Sequence, residues 1–437
     1  MARMSECAKC RYLLECEDGT GGGARFTDET LTKCPKGCHA LISDELVKEL
    51  IDRVQTRLSR DRPKRPNRET YQKEIREKIA EKRAALVLGA GISIPMGMPN
   101  WQGLVSQMSG SVFQYQDYME KGNSAERKNL LDIERKLISG DLKIFNNNNV
   151  LESGQYIAQA LGSAAKEKTG DELLAEVVSA IIERSKRPSQ WLREHPLSEK
   201  EPDDLMKAGK NSLFAAAYVL KNGFRHALTY NFDTLTQESL IEIFHVSPER
   251  IITHPGEWSE VLPHDAGDLI EIFHVHGCIP RRANLEPPSP AFPKESSQII
   301  LSEDSYYNTE RYEAYNWQNS IQSYYLNRDS CVFVGFSAED YNFRRILRQM
   351  GDASKSKPKR PRHYLILTVD SMVRDVWKNV CRSRLPEGAS IEEIKEDSTL
   401  LLARQLEMKE AYWKRYDFFP IWTTIPEIPE FLLSLLA

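Results

Sequence analysis

Apolar positions along the chain fall into two alternating rhythms. Short apolar runs at Ala84–Leu88, Arg225–Tyr230, Leu269–Val275, Cys331–Val334, Tyr364–Leu367 and Phe418–Trp422 predict buried strands. The stretches between them show helical spacing, so the pattern predicts an α/β fold built on an open, mostly parallel sheet. The block from Trp101 to about Leu220 is too long for one crossover and predicts a helical insertion layer (about 101–220). Residues 44–58 space Leu46, Leu50, Ile51, Val54 and Leu58 as one helix face, with Ser43 as its N-cap. The proline-rich segment Pro280–Lys294 reads as a surface loop, and no internal repeat is visible.

Domain boundaries follow from breaks in that pattern. Residues 1–60 form a small N-terminal Cys-rich module with its helix. Residues 61–70, rich in Arg, Lys and Pro, read as a basic linker, and 71–437 as one catalytic domain. The linker run is better explained as a solvated tether than as a nucleic-acid contact. With 59 Lys+Arg against 63 Asp+Glu, a net charge of −4, the 437-residue chain has no global field to attract nucleic acid. No apolar run suits a membrane span or a signal peptide. Of eight cysteines, five lie in the first forty residues and Cys278, Cys331 and Cys381 are scattered. That distribution argues against a disulfide framework and predicts a cytoplasmic protein. Cys7, Cys10, Cys34 and Cys38 could give four thiolates to one tetrahedral zinc in a module too small for a large core. Free reduced cysteines are the alternative, and Cys16 and His39 offer competing ligands.

Four polar clusters sit where strands are predicted to end. The first strand runs into Gly89-Ala90-Gly91-Ile92-Ser93, with Pro95, Gly97, Pro99 and Trp101 beyond. Glycines after a buried parallel strand let backbone approach a pyrophosphate, as in Rossmann-like folds. The third glycine of the usual dinucleotide fingerprint is replaced by Ile94, so that fingerprint fails. The second cluster is Thr229-Tyr230-Asn231-Phe232-Asp233, which an Asx-type turn would also explain. The third is His274-Val275-His276-Gly277, with both imidazoles on one strand face and packing as the bland alternative. Gly335-Phe336-Ser337 is the fourth, with Asp340 in the first turn of the next helix.

Taken in this order, GAGIS with Gly97-Met98-Pro99, then YNFD, the His276-Gly277 pair and GFS resemble the sirtuin-like NAD-binding domain. The chain is most similar to the divergent bacterial branch of NAD-hydrolysing proteins used in anti-phage defence and abortive infection, over roughly Tyr71 to Ala437. Protein-deacylating sirtuins carry Asp-Phe-Arg where this chain has Asn100-Trp101-Gln102, and Gln where it has Tyr230. Their four-cysteine zinc module follows the His-Gly pair, whereas here only Cys278 precedes Cys331. These departures count against a deacylase and leave NAD binding untouched.

The resemblance implies NAD as substrate. Cleaving its nicotinamide–ribose bond expels a neutral leaving group from a cationic ring, so the paired carboxylates of ordinary glycosidases are not required. It gives Asn231 the ribose and the attacking water, and His276 the part of base or hydrogen-bond partner to a ribose hydroxyl. Gly89, Ala90, Gly91 and Ser93 would line the phosphates, with Pro99, Trp101, Asp233, Gly335 and Ser337 completing the cofactor site. His274 is expected to pack or bond locally. The function expected is an NAD+ glycohydrolase yielding nicotinamide and ADP-ribose or a cyclic form. The alternatives are an NAD-dependent protein deacylase and a non-enzymatic NAD or ADP-ribose sensor. No sensor region is legible, so activation is expected to need a homo-oligomer or a separate partner, by family analogy a HerA-type ATPase or a short Argonaute.

Overall fold

The structure, a computed structural model, describes residues 44–61, 66–115, 150–164, 168–195, 211–254, 269–284, 291–292, 299–311, 317–338, 340–353, 360–384 and 389–436. The Cys-rich segment with Cys7, Cys10, Cys34 and Cys38, the N-cap position Ser43 and most of the proline-rich loop lie outside these residues.

Among the described residues seven strands form one sheet: β1 (Ala84–Leu88), β2 (His226–Thr229), β3 (Ile251–Ile252), β4 (Ile270–His274), β5 (Ser330–Val334), β6 (His363–Thr368) and β7 (Phe418–Thr423). Their order is β3-β4-β2-β1-β5-β6-β7. The registered pairings are parallel, with Leu86 facing Ala227 on one side of β1 and Val332 on the other. β1 and β5 are buried at every position, as expected for central strands covered on both faces. The two-residue edge strand β3 has no sequence signature, because two isoleucines are too short to set a period.

The strand order reverses beside β1. Successive strands after β1 are added on its β2 side, and then the chain crosses to begin again at β5. In an open α/β sheet such a reversal opens a crevice outside the carboxyl ends of the strands. This is the α/β, Rossmann-like arrangement expected from the apolar pattern.

Between β1 and β2 the described chain is helical: Trp101–Tyr115, Val150–Ala164, Gly170–Arg184, Pro188–Glu194 and Ser212–Val219. The helix Gly170–Arg184 starts on a capping box. Thr169 accepts from the Glu172 amide, and the Glu172 side chain bonds back to the Thr169 N–H. Ser212–Val219 is apolar nearly all round, and six of its eight residues are buried. These helices and the sheet share one core, which includes Leu86, Leu88, Met108, Leu161, Val178, Phe214, Ile272 and Val334.

By contacts the chain divides into two compact units. One holds the sheet and the helical layer (68–367, 416–421 and 426–437). The other holds the described residues up to 67 together with those of 368–415 and 422–425. In it the helix Asp44–Asp61 packs with Asp370–Arg384 and Ile391–Lys414 over Leu50, Val54, Trp377, Val380 and Leu406. Arg53 bridges Glu49 and Glu392 across these helices. Helical structure resumes at Arg68, inside the segment read as linker, in the helix Arg68–Ala80.

Candidate functional site

The four polar clusters follow β4, β2, β1 and β5, which are neighbours in the sheet. Residues far apart in sequence therefore meet at one sheet edge. After β1 the chain makes two 3-10 turns, Ala90–Ile92 and Ile94–Met96, before the helix Trp101–Tyr115 begins. The α-helix that meets the pyrophosphate in a standard dinucleotide fold is thus displaced, consistent with Ile94, exposed here, at the third-glycine position.

Gly89 and Gly91 serve first to bring two turns together. A Cβ on Gly89 would lie 2.5 Å from the Gly335 carbonyl oxygen, and one on Gly91 would lie 2.8 Å from the Gly335 Cα. The Gly91 N–H donates to the Gly335 carbonyl at 2.9 Å, so in this state it is turned to protein rather than outward. Gly335 itself has φ +65°, and Ala338, three residues on, has φ +59°. A non-glycine residue in the left-handed region costs free energy and marks a turn held by its surroundings. Here Arg344 Nε donates to the Ala338 carbonyl at 2.9 Å. Ala90 is half-buried beside this turn, and Ser337 lies exposed within it.

Ser93 links the first cluster to the second. Asn231 Nδ2 donates to Ser93 Oγ at 3.1 Å, and Ser93 Oγ donates to Asp233 Oδ1 at 3.2 Å. The Leu235 N–H also donates to Asp233 Oδ1, at 3.1 Å. Burial pushes the Asp233 carboxyl up to about 6, opposed by these two hydrogen bonds. Asn231 keeps its Oδ1 buried with no protein partner.

β4 ends at His274, so His276 lies just beyond the strand, where Gly277 at φ +91° turns the chain. The two histidines are both buried but are held differently. The His274 Nδ1–H donates to the Asn231 carbonyl at 2.9 Å, and its Nε2 accepts from the Gln237 amide at 2.7 Å. A carbonyl can only accept, which fixes that tautomer. Burial lowers His274 to about 4, so it stays neutral. His274 bonds locally, as the bland reading holds, and its local partner is the backbone of Asn231.

His276 has neither ring nitrogen hydrogen-bonded. Its imidazole is walled by Tyr230, Tyr306 and Trp101, with ring centroids 4.7, 5.8 and 6.5 Å away, all edge-on. Burial lowers its pKa, and the Asp340 carboxylate acts in the opposite direction. Tyr230 fills this wall with its hydroxyl turned away, donating to Gln322 at 2.6 Å. Trp101, at the start of its helix, also meets Phe232 edge-on at 5.7 Å. Pro99 is half-buried in the approach to that helix.

Three participants are absent from the set of site residues read from sequence. Asp340 precedes the helix Tyr341–Ala353, and its Oδ1 accepts from the Phe343 N–H at 2.8 Å. It therefore caps that helix rather than lying in its first turn. Tyr306, in the helix Glu303–Arg311, donates to Asp340 Oδ2 at 2.7 Å. The third is a buried ion pair: Arg281 Nε lies 3.2 Å from both oxygens of Glu238. Arg281 also donates to Ser185 Oγ at 2.6 Å, tying the helix after YNFD to the end of Gly170–Arg184. Asp340 was legible beside GFS; Tyr306 and Arg281 depend on tertiary placement and have no local signal.

Among the described residues no group of three or more His, Cys, Asp and Glu side chains is arranged to hold a metal ion. No described helix is long and apolar enough to cross a membrane.

The fold and this edge define an α/β protein with a cluster of buried polar groups at a topological switch point. A family model for the SIR2-like domain matches residues 225–384, just over a third of the chain. The matched stretch contains Asn231, Asp233, His274, His276, Gly335 and Asp340, and it supports a sirtuin-like family with an NAD-related function. A comparison with curated proteins finds no match.

Proposed function

We propose that the chain is an NAD+ glycohydrolase, releasing nicotinamide and ADP-ribose or a cyclic form, and that it works in anti-phage defence once assembly or a partner activates it. The observation that carries this reading is a pair of buried polar groups left open at the strand ends: Asn231 Oδ1 and both ring nitrogens of His276. Buried polar atoms in folded proteins are nearly always paired, so orphans at the carboxyl ends of neighbouring strands are candidate ligand contacts.

The residues fit NAD as substrate. NAD brings its own leaving group, nicotinamide, which departs neutral and needs no protonation. What remains for the chain is to hold ribose and water and to accept a proton. Asn231, steadied through Ser93 and at its own carbonyl by His274, would hold a hydroxyl or water through Oδ1. His276, its pKa lowered by burial, would accept a hydroxyl proton. Asp233, Trp101 and Pro99 would flank the ribose and nicotinamide side. The turns at Ala90, Ser93, Gly335 and Ser337 would flank the phosphates, with Gly89 and Gly91 holding those turns together.

Incubating the protein with NAD and following the products by mass spectrometry tests this, with and without an acylated peptide. Nicotinamide with ADP-ribose or its cyclic form, independent of peptide, is expected. O-acyl-ADP-ribose formed only with peptide would replace the reading with a deacylase. Binding of NAD without turnover, in every assembly state, would replace it with a sensor.

A further inference from the structure

Asp340 is fixed at both oxygens. Its Oδ1 takes the Phe343 N–H at 2.8 Å, and its Oδ2 takes the Tyr306 hydroxyl at 2.7 Å. The same Oδ2 lies 3.5 Å from Nε2 of His276. That is beyond a good hydrogen bond and within the range of strong charge attraction in a buried setting. Among the described residues, the other titratable groups whose rings meet the imidazole are the phenols of Tyr306 and Tyr230. The first is committed to Asp340 and the second to Gln322. The charge that acts on His276 is therefore the Asp340 carboxylate.

We propose that Asp340 is the positioning residue of His276: it turns Nε2–H toward its own carboxylate and leaves the Nδ1 lone pair for the substrate. A carboxylate accepts only, so the nitrogen facing it must carry the hydrogen. The other nitrogen is then the base. When Nδ1 takes a hydroxyl proton the ring becomes an imidazolium inside the protein, and the facing carboxylate offsets the cost of that buried charge. No bond forms to Asp340, and its proton count does not change. The helix amide of Phe343 holds the carboxylate at the ring, and the phenol of Tyr306 reinforces it while the site is covered. A separation of this size commonly shortens when substrate binds. The catalytic consequence rests on the NAD-cleaving reading; the tautomer does not.

The test has two arms. In the first, the full chain labelled with 15N-histidine is examined by NMR, and the His276 ring is assigned by its loss in His276→Gln. The Nε2–H tautomer is expected in the wild type and is expected to weaken or reverse in Asp340→Asn, where an amide that can donate replaces the carboxylate. An Nδ1–H tautomer in the wild type overturns the proposal with no variant needed. In the second arm, kcat for NAD is followed against pH. Asp340→Asn should lower kcat at least about tenfold, with a much smaller change in KM. Its acid limb should move to lower pH, because the group that raises His276 is gone. Asp340→Glu, which keeps the charge, should recover part of both. An Asp340→Asn enzyme with the wild-type tautomer and acid limb overturns the proposal. A wild type that releases no nicotinamide in any assembly state sinks the NAD-cleaving reading alone, while the NMR arm still decides the tautomer.

Discussion

Asn231 and His276 can be tested separately from the scaffold around them. Asn231→Ala removes the open Oδ1 and the Nδ2 bond to Ser93, but leaves Ser93 bonded to Asp233. His276→Ala removes a ring with no hydrogen-bonded nitrogen. Each should lower NAD cleavage by about 10²–10⁴-fold, the usual contribution of a positioned acid–base group. Nucleotide binding by calorimetry should largely survive, while His276→Ala, which empties a buried site among three rings, should also lower the Tm. Wild-type turnover in both variants would break the assignment. His274→Ala belongs with them rather than serving as an inert control, because it leaves the Asn231 carbonyl and the Gln237 amide without their partner. It should lower both Tm and kcat.

Asp233 adds a pH signature. Its folded pKa of about 6 is above the usual carboxylate value because burial disfavours the charge. Between about pH 4 and 6 the unfolded chain releases this proton while the folded chain keeps it. Rising pH therefore costs stability over that window, about 3 kcal/mol if nothing else relaxes. Below the window the contribution is fully present; above it, the loss is complete. Asp233→Asn keeps an acceptor for Ser93 and Leu235 and has no proton to lose. The Tm of the wild type relative to this variant should fall between pH 4 and 6 and level off above 7. A Tm difference that stays flat across that range contradicts the buried-carboxyl account.

At the scale of elements, the site depends on two turns that share one space. The Gly89–Gly335 approach leaves no room for a side chain, and the atoms in the way are backbone, which cannot rotate aside. Gly89→Ala should therefore cost about 1–3 kcal/mol in denaturant unfolding, as overpacking does. It should also weaken NAD cleavage, by parting the turn that carries Ser93 from the one that carries Asp340. Unchanged stability would mean the turns part freely. Six of the seven described strands were legible because each is a compact apolar run; β3, with two residues, was not. The strand-end clusters were legible for the same reason, since a buried parallel strand must stop where its residues turn polar. What each cluster touches was hidden. Nothing local in HVHG says that His274 turns to Asn231 while His276 is left open, and nothing near Tyr306 says that it meets Asp340. Those facts arise from strand order, which places β4 beside β2 and β5 beside β1.

For the whole molecule, access to this site is the controlling question. Asn231, Asp233 and His276 are only 5%, 4% and 0% exposed, so NAD cannot reach them in this state without movement of the residues that cover them. Tyr306 is one such cover, since its ring lies against His276 and its hydroxyl is bound to Asp340. A closed site suits an enzyme whose free activity would drain its own cell of NAD, and binding energy from assembly is the kind of input that shifts such an equilibrium. A partner stabilises the open state only by binding it better than the closed one, and every 1.4 kcal/mol of that preference is worth about tenfold in population. The chain alone at low concentration should therefore turn over NAD slowly. Turnover per chain should rise with self-association or with an added partner. Light scattering coupled to size exclusion, alongside NAD turnover over a wide range of protein concentration, measures both at once. Tyr306→Phe, which removes the hydroxyl bound to Asp340, should raise the basal rate of the dilute chain if opening limits it, while lowering the maximal rate through the looser carboxylate. Full turnover by a dilute monomer would show that the site opens by itself and that assembly is not what controls it.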